Sequence, residues 1–421
     1  MKRILAAALC VLLLLSGCSA MFNREVYRTS PHLKQQSEDA DTTSLRASNA
    51  QGLEAALLRL VRAHSEEDSI RLTGYTGDVT RDLLVSIENV RGEPIGAYAV
   101  NNITIVDRTP MLTDEVITFY ITYRRTKEQM DNLQYVAGAG ALQNTLRQML
   151  ADYQDKLVID IPYYDSDMMD LEVMLSDIYY QNPPFALGIP QLNYTLYPDN
   201  GLHRIIEINL TYPRFLQSRA YLAASAETQM QTLLQDKPDT QDKPALALWL
   251  HNRLAAHIDY DAETAQTASD NGGAVIRGSA YTVYGAFVNR LAVGEGYALA
   301  YKWLCDANDI PCQVVVGKRD GADHAWNLVK LDGSWYHVDA ASDDMELSIT
   351  YDWFLQPDEV MRSRYHWTKE LPACEDTQLS FAVIAEAAFP ALYEQWLAAR
   401  AQELLPEGQE TAAVGAEGEI T

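Results

Sequence analysis

Two runs within residues 279–340 decide how this chain is read: Ser279–Cys305, SAYTVYGAFVNRLAVGEGYALAYKWLC, and Cys312–Ala340, CQVVVGKRDGADHAWNLVKLDGSWYHVDA. The first reads as a helix opened by Ser279, a loop, and a second helix opening between Gly294 and Tyr297. The second reads as three short strands that set His324 and Asp339 at strand starts or ends. A helix N-terminus favours negative charge, and a His beside it can keep a thiol deprotonated while an Asp orients the ring. The pattern is therefore that of a thiol-nucleophile site, yet the residue where the thiol belongs is Gly294.

Three short motifs carry a resemblance. Val293-Gly294-Glu295-Gly296-Tyr297-Ala298, His324-Ala325-Trp326-Asn327 and Trp335-Tyr336-His337-Val338-Asp339 are similar to the nucleophile, base and acid motifs of the transglutaminase-like superfamily, whose papain-like members use a Cys, His, Asp triad. The likeness extends through Leu248–Asp261 and Tyr351–Trp367. It implies a helix bundle packed on an antiparallel sheet, His324 as base, Asp339 as its orienter, and a cleft at Glu295, Gly296, Tyr297, Trp326 and Trp335. Every element is present except the sulfur, so the resemblance implies a degenerate nucleophile position at Gly294 and a catalytically inactive domain.

No neighbour replaces the thiol. Cys305 lies eleven residues along the same helix, about 16 Å away at 1.5 Å per residue. Glu295 points about 100° around the helix and is a poor acyl acceptor; Tyr281 and Tyr297, with ordinary pKa values of about 10, are packing residues by the same reasoning. His324 and Asp339 admit two readings: a surviving base and orienter, or a hydrogen-bonded pair that holds two strands in register. Active acyl transfer or peptide cleavage through a non-standard nucleophile stays open, as does general-base hydrolysis by His324 and Asp339. A glycine helix start also leaves N–H groups that favour an anion or a carbonyl oxygen.

The chain opens MKRILAAALCVLLLLSGCSA, a basic start, a short apolar run and small residues before Cys18. That is a lipoprotein signal over 1–17, too short to be kept as a spanning helix, with Cys18 as the acylated mature N-terminus. The expected place is the extracytoplasmic face of a cell membrane, held by fatty acyl (palmitate-type) chains on Cys18. Loss of Lys2 and Arg3 with the signal takes the formal charge from −25 to −27. Such acidity repels polyanions and argues against nucleic-acid binding. The implied partners are peptides, proteins or cell-wall peptide stems.

Cys305, Cys312 and Cys374 then remain, too few for a disulfide framework, although a local Cys305–Cys312 bridge is open. No spacing suggests a metal, and no cofactor is expected.

Residues 18–51 are polar and read as a tether. From 52 to 214 the sequence echoes itself at an offset of 89 residues: Tyr75-Thr76-Gly77-Asp78 falls on Tyr164-Asp165-Ser166-Asp167, Pro94 on Pro183, and Ile121-Thr122-Tyr123 on Leu210-Thr211-Tyr212. Two copies of one small α/β module are expected, at 52–125 and 141–214, each running helix, strand, helix, strand, strand. Asp78 and Asp167 are the expected helix caps.

A helix and linker over 215–243 follow. There, DKPDTQDKP punctuates the chain and marks a domain boundary, with all seven tryptophans beyond it. The transglutaminase-type domain spans 244–405, with polar loops at 262–278 and 340–346 and helical spacing from 380 to 405 broken at Pro390. A disordered tail over 406–421 completes the expected α+β chain.

Overall fold

The computed structural model describes residues 45–213, 218–270, 278–345 and 348–403. The expected signal peptide, Cys18, most of the tether and the 406–421 tail lie outside the described residues. Among those described, no helix is long and apolar enough to cross a membrane.

The first unit is a four-stranded sheet: β1 (Leu45–Ala47), β2 (Glu67–Thr73), β3 (Val100–Pro110) and β4 (Asp114–Tyr123), in the order β1-β2-β4-β3. β1 runs parallel to β2, and the other pairs are antiparallel. Period-two alternation buries Ile70 and Leu72 of β2 and Ile117, Phe119 and Ile121 of β4 on one face. Helix Ala50–Ala63 covers that face with Leu53, Ala56, Leu57, Leu60 and Val61, the stripe a 3.6-residue period requires. The Asn49 side chain accepts from Gly52 N and caps it.

A second sheet, of β5 (Gln134–Tyr135), β6 (Lys156–Ile161), β7 (Gln191–Tyr197) and β8 (Arg204–Thr211), has the order β5-β6-β8-β7, again with its first strand parallel to its second. Of the two short parallel strands, β1 falls in the stretch expected as tether and β5 between the two expected modules. Strands of two or three residues carry no readable period. Asp78 caps helix Val79–Gly92 as expected. Asp167 does not cap its counterpart: Asp170 accepts from both Glu172 N and Val173 N, so helix Leu171–Gln181 starts there. Pro94–Ala99 adds a short helix to the expected order of helix, strand, helix, strand, strand.

The linker break is not a break in the core. One apolar cluster runs from Leu142, Ile159 and Ile206 of the second sheet through Leu250, Leu304 and Tyr336 to Phe381. The first sheet has a separate core that, among the described residues, takes in Ile205, Val158 and Tyr197 of its neighbour. Asp-Lys-Pro triplets report where a helix cannot continue, not where burial stops.

The second half opens with helix Lys243–Ala255, capped by Asp242 with Pro244 in its first turn. It adds a two-stranded pair, β9 (Asp259–Tyr260) and β10 (Leu291–Ala292), and strands β11 (Cys312–Arg319), β12 (Ala322–Leu331) and β13 (Ser334–Val338). A small hairpin, β14 (Asp344–Met345) and β15 (Ser348–Ile349), precedes β16 (Phe354–Gln356) and β17 (Tyr365–His366). The main sheet is antiparallel, in the order β16-β13-β12-β11-β17. Against it lies helix Gly294–Asp306, whose residues from Gly294 to Cys305 are all buried. Helices Phe381–Ala388 and Pro390–Glu403 meet at Pro390 as expected.

Three local expectations need correction. Ser279 opens a 3-10 turn (Ser279–Tyr281) followed by a π turn (Gly285–Asn289), because the chain folds back so tightly that a Cβ on Gly285 would lie 2.1 Å from Ser279 O. Residues 262–270 of the expected loop are helical, with Asp261 accepting from Thr264 N at 2.9 Å. The 340–346 loop begins as a helical turn, Ala340–Asp343, capped by Asp339.

Candidate active site

The N-terminus of helix Gly294–Asp306 faces the start of β12 and the end of β13. Antiparallel register pairs Gly317 with His324 and Asn327 with Val338, so His324 and Asp339 come from adjacent strands on the side of the sheet that meets the helix. His324 Nε2 donates to Asp339 Oδ2 at 2.7 Å.

Asp339 is buried and held by more than the histidine. Ser342 Oγ donates to Oδ2 at 2.5 Å, Tyr365 OH to the same oxygen at 2.6 Å, and Ser342 N to Oδ1 at 3.1 Å. Burial alone would push this carboxyl up; the His324 charge and the three side-chain donors outweigh it and hold the pKa down at about 2. Ser342 and Tyr365 were missed in the sequence. An Asp three residues ahead of a Ser at a strand end is a cap signal that could have found the first; nothing local marks Tyr365, which arrives on β17.

The position facing the histidine is closed by it. A Cβ built on Gly294 would lie 2.3 Å from His324 Cε1, 2.5 Å from its Nδ1 and 3.2 Å from Ala325 O. The imidazole therefore stands in the space that a side chain at 294 would need.

Of the five residues expected to line the cleft, only Glu295 does. A cleft of about 690 Å³ is bordered by Gly294, Glu295, His324 and Ser342, with Tyr260 and Arg319 among the residues the sequence did not single out. Gly296 instead allows close packing, since a Cβ there would meet Ala280 O at 2.5 Å. Tyr297 is buried, donates to Ile258 O at 2.9 Å and pairs with the Asp344 carboxylate. Trp326 is buried in a cluster with Tyr365 and Trp367, and its Nε1 donates to His337 Nδ1 at 2.9 Å. Trp335 borders a different hollow, beside Asp376. Tyr297 and Trp326 went to the core because their area is worth more there than at a wet cleft wall.

The cleft is mixed in charge. Glu295, Asp320, Asp323 and Asp344 border it together with Lys318 and Arg319. Lys318 pairs with Asp323 at 2.9 Å, and Arg319 lies 4.0 Å from Asp320 and over the rings of Trp353 and Tyr365.

Two further histidines of this half are satisfied structurally. His251 meets Asp343 at 3.2 Å in the core, and His257 meets Phe287 O at 2.9 Å. His337, Asp358 and Cys374 offer donor atoms within 4.8 Å of one another. They do not suit a metal. The Trp326 indole can only donate, so His337 accepts at Nδ1 and spends its Nε2 proton on Asp358 at 2.8 Å, leaving no ring lone pair toward the centre. Burial also pushes the Cys374 thiol up to about 12.

Residues 230–340 match the family model of the Transglutaminase-like superfamily. No curated protein sequence matches the chain. Among solved structures, a TGase is 16% identical, with 51% of this chain and 60% of that one covered and a TM-score of 0.26. A Cytophaga hutchinsonii protein described as a candidate cysteine protease is 11% identical, with coverage of 45% and 81% and a TM-score of 0.23. This chain thus spans about three-fifths of the length of the TGase.

Proposed function

Residues 230–340 are a transglutaminase-like domain, and from that premise we propose that the chain is a membrane-anchored, extracytoplasmic lipoprotein whose domain binds peptide, protein or cell-wall peptide stems without transferring an acyl group. The observation that carries this reading is the Gly294–His324 contact. Gly294, which the motif resemblance sets at the thiol position, has no side chain, and the 2.3 Å approach of His324 Cε1 to a Cβ there leaves no room for one without moving the ring. Acyl transfer through a thiolate needs that atom, and loss of a nucleophile costs on the order of a millionfold in well-studied hydrolases. Binding needs only the cleft, whose acidic and basic borders suit a ligand carrying both charges, as peptides do.

The anchor rests on Cys18 and the apolar run before it. Cells fed a fatty-acid analogue should label the wild-type chain and leave Cys18→Ala unlabelled and soluble. Labelling of the variant would remove the anchor from this account. The catalytic half is tested with soluble chain starting after Cys18, given a glutamine-bearing peptide and a primary amine beside a Gly294→Cys variant. Turnover by the unaltered chain would sink the inactive reading.

A second reading, an active acyltransferase or peptidase with a non-standard nucleophile, draws on the intact His324–Asp339 pair and its Ser342 and Tyr365 donors. The same assay decides between them.

A further inference from the structure

We propose that Cys305 and Cys312 are an oxidisable pair that closes as a disulfide when the exported chain folds, fastening one end of the Gly294–Asp306 helix to the first residue of β11. The two residues lie at the end of that helix and at the start of the strand. The chain between them is bent back sharply: Asn308 N and Ile310 N both donate to Cys305 O at 3.0 Å. The two thiols are free and buried, Cys312 adds to the burial that pushes the Cys305 thiol up, and Asn327 Nδ2 donates to Cys312 Sγ at 3.5 Å. Cys374 sits in another cluster, with its sulfur toward Pro372 O at 3.7 Å.

The chemistry is thiol–disulfide exchange with a protein or small-molecule disulfide as oxidant. Each thiol gives up its proton and the pair gives up two electrons; the S–S bond forms, and the oxidant's own S–S bond breaks to two thiols. An extracytoplasmic compartment supplies such oxidants, and this half of the argument rests on the export reading above. Burial pushes the Cys305 thiol well up, so exchange is slow once the core has closed and the bond forms during folding. Closed, it ties together two elements whose far ends, Gly294 and Glu295 on the helix and Lys318 and Arg319 on the strand, border the cleft.

Full-length chain is isolated from its native membranes with detergent, after free thiols have been alkylated at harvest. Trypsin leaves both cysteines on one peptide, Trp303–Lys318. The proposal expects that peptide unalkylated and lighter by two hydrogens, with Cys374 alkylated. It also expects the Tm to drop by several degrees on reduction. If both cysteines are alkylated in the cell, the chain is unfolded and refolded with a disulfide buffer. Pairing there keeps the dithiol and removes the export premise, whereas no pairing, or pairing with Cys374 instead, overturns the proposal. Cys312→Ser should abolish the bridge and Cys374→Ser should leave it unchanged.

Discussion

His324 stands where a side chain on residue 294 would have to go: a Cβ there would lie 2.3 Å from its Cε1 and 2.5 Å from its Nδ1. The ring is held from behind by its 2.7 Å hydrogen bond to Asp339, so glycine at 294 and the orientation of the histidine are one feature.

Adding a methyl at this point should therefore be felt as overpacking. Gly294→Ala is expected to cost about 1–3 kcal/mol of stability. In combination with His324→Ala much of that cost should vanish, giving a coupling energy on the order of 1 kcal/mol or more in a double-mutant cycle by urea unfolding. Additive effects would mean that the two residues do not contend for the space.

The pH dependence follows from Asp339. Its folded pKa, about 2, lies below the ordinary carboxylate value, so its contribution to stability is complete above about pH 4 and is lost as the pH falls toward 2. Tyr365→Phe removes one donor to Oδ2, which should raise that folded pKa and move acid unfolding to higher pH. Acid titrations followed by tryptophan fluorescence, which reports the second half where all seven tryptophans lie, would show the shift; coincident curves would mean Tyr365 does not support the carboxylate.

Between the first two units, Arg125 pairs with the buried carboxylate of Glu207, and its guanidinium lies 4.8 Å from the centre of the Tyr98 ring. Arg125→Ala should cost about 2 kcal/mol and speed amide exchange across residues 45–124. Lys369→Ala breaks an exposed pair with Asp177 at 2.6 Å and should change stability by less than about 1 kcal/mol. Equal effects would contradict the burial argument.

Because one apolar cluster joins the second sheet to the helix and sheet around Gly294, residues 134–403 should unfold in a single calorimetric transition despite the proline punctuation. Separate transitions on either side of residues 236–244 would show that the shared cluster does not couple them.

The site was more legible than the packing around it. His324, Asp339 and the helix opening at Gly294 could be placed because short motifs fix a strand end or a helix start within a residue or two, and the structure brings all three together. Trp326, Trp335, Gly296 and Tyr297 could not be sorted into cleft or core, since a motif does not say which face of a strand or helix meets the larger apolar mass. The linker is likewise a local signal. Proline acts on the local backbone, while the apolar cluster that takes in Leu142, Ile206 and Leu250 alike belongs to the tertiary core. Ser342 and Tyr365 complete Asp339 from residues three and twenty-six positions away, and the longer reach leaves no trace in the sequence.

The most direct test of the central claim is turnover by the unaltered soluble chain, supplied with a glutamine-bearing peptide and a primary amine and followed by amine incorporation and by mass spectrometry for an acyl adduct. The account predicts peptide binding by thermal shift, with neither product nor adduct above the buffer blank; incorporation that disappears in His324→Ala would contradict it.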